Sequence, residues 1–143
     1  MNAETLARFV LPKPEDDAFF AHRERATLLA AADVLLEGVD FAISDDEIVR
    51  NVERFVRSSR RGWRVRVLLH VVELAPLTAG MKRFSRLSRA ERRCFLRAHG
   101  SSLCGRVRPL VYIGAYASLI AARSVGFVPV PERSRFVTLR GRR

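Results

Sequence analysis

The stretch Phe84-Ser85-Arg86-Leu87-Ser88-Arg89-Ala90-Glu91-Arg92 opens a segment that runs on through Phe95 and Leu96, breaks at Gly100-Ser101-Ser102, and closes with Val125-Gly126-Phe127. Ser88 stands three residues before Glu91, the spacing at which a serine hydroxyl and a glutamate reciprocally satisfy the free amides of a helix N-terminus. The helix that starts there is predicted to reach about His99. A second, from about Leu103 to Arg123, follows the Gly-Ser break. Pro109 lies inside that second helix and predicts either a kink or a start at that point. Gly114, Ala115, Ala117, Ser118, Ala121 and Ala122 give the helix an unusually small surface, which lets another backbone approach closely, in this chain or in a partner.

Working outward, Ser44-Asp45-Asp46-Glu47 is another capping box. It starts a helix with apolar residues at Ile48, Val49, Val52, Phe55 and Val56, a good helical period that stops near Ser58-Ser59. From Arg60 to Leu74 the pattern serves two structures. Val65, Val67, Leu69 and Val71 alternate as in a strand, whereas Val67, Leu68, Val71, Val72 and Ala75 share a helical face; the length favours a helix, ended by Pro76. Leu77 to Phe84, with Gly80, reads as a loop. Upstream, a helix is expected from about Glu15 to Glu37, with Glu15-Asp16-Asp17 as its acidic first turn and Gly38 as its stop.

These elements predict an all-α fold: a single compact domain of about five helices, residues 15–127, between an extended N-terminal arm, 1–14, and a basic extended C-terminal tail, 128–143. The 143 residues suit one small core, and nearly half of them are apolar. No run of about 18 uncharged apolar residues is present, so no membrane-spanning helix is expected. The N-terminus shows no basic region followed by an apolar one, and the default expectation is a cytoplasmic chain or one exported with a partner. Cys94 and Cys104 flank the break at Gly100 and are expected as free, mostly buried thiols.

Charge is divided along the chain. Residues 1–53 carry five basic and twelve acidic side chains, net −7, whereas residues 54–143 carry 21 basic and three acidic, net +18. The acidic part cannot neutralise the basic part, so a positive surface must remain. Arginine supplies 24 of the 26 basic residues, a side chain suited to planar, partly buried pairing.

Signs of catalysis are weak. His22, His70 and His99 are far apart, and none has a second ligand at metal-site spacing. Asp16-Asp17 and Asp45-Asp46 lie in first turns, where helix polarity accounts for them. Capping accounts for Ser44 and Ser88 before any nucleophilic role is needed. The basic excess raises a helical nucleic-acid-binding module as the alternative function, with Arg89, Arg92, Arg93 and Arg97 along one helix. Aligned as a helix-turn-helix on Gly100, however, the small residue required earlier falls on Leu96 and the second helix's core position on Arg106. A peripheral contact of the C-terminal arginines with anionic lipid is a third reading.

From about Arg25 to Phe127 the chain resembles the small accessory subunits described as gluconate 2-dehydrogenase subunit 3-like. It is similar also to helical segments that precede the flavin domain in long-chain alcohol oxidases of the glucose-methanol-choline superfamily. The shared features are the Leu-rich helix Thr27 to Leu36, the aromatic-Ser-x-Leu-Ser-x-x-Glu-Arg pattern of Phe84 to Arg92, Phe95-Leu96, a final arginine-bearing helix with Tyr112 and Tyr116, and Gly126-Phe127. Members often begin with a twin-arginine export signal, which does not occur here, and Pro109 interrupts a helix that the pattern would have continuous. The resemblance implies a non-catalytic partner of a larger flavin-binding subunit that oxidises an alcohol or sugar, with FAD held by that subunit and none by this chain. The expected contact residues are Arg92, Arg97, Arg106 and Arg108 as charge complement, with Tyr112, Gly114, Tyr116 and Ser118 on the last helix.

Overall fold

The computed structural model describes residues 2–5, 11, 13–14, 17–39 and 43–117. It is all-α, with no strand among the described residues. Five main helices follow in order: α1 His22–Leu35, α2 Asp45–Arg57, α3 Gly62–Leu74, α4 Arg89–Ala98 and α5 Gly105–Tyr116. Short 3₁₀ turns, Ala75–Ala79 and Phe84–Arg86, lead from α3 to α4, and a wide π turn, Gly100–Cys104, joins α4 to α5.

α1 is the central helix and touches each of the other four. Its buried residues include the consecutive Ala30, Ala31 and Ala32. Because successive side chains point about 100° apart, three in a row cover more than half the circumference, which demands neighbours on several sides. Alanine suits such a position, since a bare methyl lets those neighbours come close.

The helix begins later than expected. Asp17 has φ +56°, a left-handed conformation that no α-helix accommodates, and the N-cap is Ala21. The acidic first turn is supplied by Glu24, whose Oε2 accepts the Ala21 amide at 2.9 Å. Phe19 and Phe20 precede the helix as an edge-to-face pair with ring centroids 5.2 Å apart, and Phe20 is fully buried. At the other end Gly38, at φ +81°, stops the helix in the left-handed conformation that glycine adopts without strain.

α2 lays Ile48, Val49, Val52 and Val56 against the core, each apolar side chain contributing about 1.5–3 kcal/mol on full burial. Its most extensive neighbour is α5, which answers with Val107, Leu110, Val111, Gly114 and Ala115. The two backbones meet at Gly114, where an added Cβ would lie 3.0 Å from the Ile48 carbonyl oxygen and 2.8 Å from Ile48 Cγ2. Asn51 reinforces the crossing, its buried Nδ2 donating to the Gly114 carbonyl at 2.9 Å. Of the small residues expected on the last helix, Gly114 and Ala115 are thus used inside the chain, Ala117 is exposed, and Ser118, Ala121 and Ala122 lie outside the described residues. α5 runs from Gly105 to Tyr116 and contains Pro109, so it does not start at the proline; residues 118–123 of the expected helix lie outside the described residues.

α3 is a helix as its length indicated, although Val71, assigned to its apolar face, is exposed. Val72 faces inward as expected, joined by Leu69 and Glu73. Pro76 sits in the first 3₁₀ turn, and Leu77 to Phe84 is largely turn structure rather than open loop.

Two buried carboxylates tie these layers together. Glu24, 2 % exposed, receives Arg66 Nε at 2.9 and 3.1 Å. Glu73, 5 % exposed, accepts the Thr27 hydroxyl at 2.9 Å, the Ser85 amide at 3.0 Å and the Ser85 hydroxyl at 2.6 Å.

The arms are only partly described. Residues 3–5 form a helical turn rather than an extended lead-in, with Asn2 Oδ1 accepting the Thr5 amide at 2.8 Å. Residues 118–127 and the basic tail 128–143 lie outside the described residues.

Two substitutions test this packing by urea denaturation. Gly114→Ala is expected to destabilise the chain by about 1–3 kcal/mol, because its methyl meets backbone that cannot swing aside. Glu73→Ala is expected to lower stability by roughly 2–3 kcal/mol by leaving the Ser85 amide and hydroxyl without their acceptor, whereas the Thr27 hydroxyl keeps the Arg23 carbonyl at 2.9 Å.

Candidate functional site: an arginine-lined groove

The Ser88–Glu91 box forms in both directions. Ser88 Oγ accepts the Glu91 amide at 3.3 Å, and the Ser88 amide donates to Glu91 Oε2 at 2.7 Å. The backbone and hydroxyl hydrogen bonds of Ser88 hold the Glu91 carboxyl below its ordinary 4.5. The Ser44 box is one-sided: Ser44 Oγ accepts the Glu47 amide at 3.2 Å. With its start fixed, α4 is oriented against α1 by arginines. Arg89 Nη2 donates to the Asp33 backbone carbonyl at 2.7 Å, satisfying a last-turn oxygen of α1. Arg89 and Arg92 also pair with the Asp33 carboxylate at 3.3 and 3.4 Å, and Arg93 reaches Glu37 at 2.5 Å. α1 has no basic residue in its own last turn, so α4 supplies the positive charge that its C-terminal dipole favours. Each exposed pair contributes no more than about 1 kcal/mol.

This arrangement corrects the role expected of Arg92. Its side chain is only 18 % exposed and donates to the Ser85 carbonyl at 3.0 Å as well as to Asp33, so it builds the α1–α4 contact rather than facing outward. Gly114 is likewise turned inward, against α2.

Three of the remaining candidates converge. Arg97, Arg108 and Tyr112 line a groove of about 500 Å³ between the end of α1 and the α4–α5 junction, together with Arg93, Glu37 and Leu96. Arg108, Tyr112 and Tyr116 follow one another at intervals of four along α5, with Cys104 at its N-cap one interval earlier, the spacing that stacks side chains on one helical face. Tyr112 and Tyr116 are exposed and meet edge to face with centroids 5.9 Å apart. Arg108 Nη2 lies 3.7 Å from the buried Cys104 sulfur. Arg106 is exposed but does not line the groove, and Ser118 lies outside the described residues.

Three guanidinium groups and one carboxylate therefore line the groove, Arg93 paired with Glu37, together with the apolar Val34, Leu35 and Leu96. Such a groove favours a carboxylate-bearing occupant with some apolar surface, since arginine pairs carboxylates through two parallel donors. The sequence points to Arg93 only for the nucleic-acid alternative and to Glu37 only as the end of the first helix; Arg93 stands four residues before Arg97 and so shares its face.

Among the described residues there is no cluster of three metal-ligating side chains, and no helix is long and apolar enough to cross a membrane. His99 is held by the fold, its Nδ1 2.9 Å from the Phe95 carbonyl oxygen and its ring stacked on Phe95 at 4.3 Å. No family model matches the chain, and no characterised protein or solved structure is significantly similar to it.

The cysteines differ from the expectation in one respect: both are free, but Cys94 is exposed and only Cys104 is buried. A thiol reagent is therefore expected to modify one sulfur rapidly in the native protein and the second only on unfolding, with mass spectrometry placing the first label on Cys94.

Proposed function

We propose that the chain is a non-catalytic accessory subunit or maturation partner of a flavin-dependent alcohol or sugar oxidoreductase. An acidic, partly apolar element of the catalytic subunit occupies the groove of Arg93, Arg97 and Arg108. The observation that supports this reading most is the contrast between the two sets of arginines. Arg89 and Arg92 are engaged by Asp33, whereas Arg97 and Arg108 line an open groove without an acidic partner among the described residues. Tyr112 adds an amphipathic ring to that groove, the residue type that anchors protein interfaces. The flavin belongs to the partner, and the oxidoreductase identity of that partner rests on the resemblance of Arg25 to Phe127.

The nucleic-acid alternative draws less support. Of the four α4 arginines that would have lined a phosphate-binding helix, three are held by Asp33 and Glu37.

Co-expression with the neighbouring reading frames, followed by size-exclusion chromatography with light scattering, is expected to yield a yellow heteromer burying well over about 1,000 Å². The double reversal Arg97→Glu/Arg108→Glu is expected to weaken that complex about 100-fold or more while leaving the chain folded. A chain that stays monomeric beside every neighbour would overturn the proposal, as would a complex indifferent to the double reversal.

A further inference from the structure

A second positive surface lies away from the groove, at the turn between α2 and α3. The five residues from Arg57 to Arg61 are all exposed, and Arg54 and Arg64 flank them on the adjoining helices. Among the described residues, no ion pair engages Arg54, Arg60, Arg61 or Arg64. Arg57 is tied to the backbone carbonyl of Asp17, and Glu53 stands four residues before Arg57 on α2, so two acidic residues border a corner that holds five arginines. Within this positive field stands Phe55, 50 % exposed although it falls on the apolar period of α2. Trp63 is partly exposed, with the Arg64 guanidinium 5.5 Å from its ring centre.

From this geometry we infer that the α2–α3 corner docks on an anionic phospholipid surface, with Phe55 entering the headgroup–acyl boundary and the arginines meeting lipid phosphates. Two features separate lipid from a nucleic-acid strand. Binding of a single strand relies on several open ring faces for successive bases, and here Trp63 already carries Arg64 on one face. A lipid surface needs only one-sided charge and an apolar ring projecting among it, which an exposed turn provides. Charge complementarity is the attractive term, each arginine near an anionic leaflet strengthening binding about fivefold. The corner shares no residue with the groove, so a heteromer bound through the groove would leave it free to hold the complex at a membrane.

The test is co-sedimentation of the full chain with vesicles of phosphatidylcholine alone or mixed with phosphatidylglycerol. Binding is expected only to the mixed vesicles and should fall as salt rises from about 50 to about 500 mM, which shortens the screening length. Arg54→Gln/Arg60→Gln/Arg61→Gln is expected to weaken it about 100-fold. Phe55→Ser, which removes an exposed ring and so preserves folding, is expected to weaken it about fivefold. Arg106→Gln/Arg108→Gln, on α5, is expected to retain most of the binding. Equal binding to neutral vesicles, or binding that the corner variants leave unchanged, would overturn the inference. So would tight retention on a single-stranded oligonucleotide that the corner variants abolish while vesicle binding is absent.

Discussion

A carboxylate in the interior sets the geometry that the rest of the molecule follows. Glu73 is on α3, yet its hydrogen bonds come from Thr27 on α1 and Ser85 in the turn before α4. A polar group so deep is tolerated only when hydrogen-bond partners surround it, so the chain has little choice about where Ser85 goes. Once Ser85 is placed, its carbonyl receives Arg92, and Phe84 beside it is driven fully into the core. α4 therefore begins at a fixed point and runs across the end of α1, which carries Arg93 and Arg97 to the groove. A loss of hydrogen bonding at Glu73 would consequently be felt at a surface formed by other elements.

Charge is sorted by the same geometry. The acidic residues at the end of α1 lie where a helix dipole makes carboxylates unfavourable, and α4 answers with Arg89, Arg92 and Arg93. This local neutralisation uses arginines that a reading of composition alone would count toward an open basic face. Among the described residues, two concentrations of arginine stand apart from this contact, the groove with Arg97 and Arg108 and the corner from Arg54 to Arg64. The two surfaces differ in shape. One is concave with an apolar lining, and the other is a turn with a ring projecting from it.

Local interactions were legible from the residues alone, and long-range ones were not. Both serine caps, the amphipathic period of α2 and the stop at Gly38 depend on neighbours within one or two turns, and all are present. The late start of α1 depends on the left-handed Asp17, and an aspartate does not announce that conformation in its pattern. Glu24 pairs with Arg66 across 42 positions, Glu73 with Thr27 across 46, and Asn51 with Gly114 across 63. None leaves a periodic trace. Gly114 shows the limit clearly: its size signalled a close approach, but only the packing of α2 decided that the approach is internal. Of the groove, the members on α5 could be foreseen from their interval of four, whereas Glu37 joins it only through the docking of α4 on α1.

The residues of the Phe84 to Arg92 motif have a common property. Phe84 and Leu87 are buried, Ser85 satisfies Glu73, Ser88 and Glu91 cap α4, and Arg92 fastens α4 to α1. Every one of them has a partner inside this chain, so the pattern encodes how the α3–α4 connection is built rather than what the finished domain touches. On the proposed function, recognition falls to side chains outside the pattern, namely Arg97, Arg108 and Tyr112. They sit on the same α4–α5 frame, are not needed for its closure, and converge on one groove.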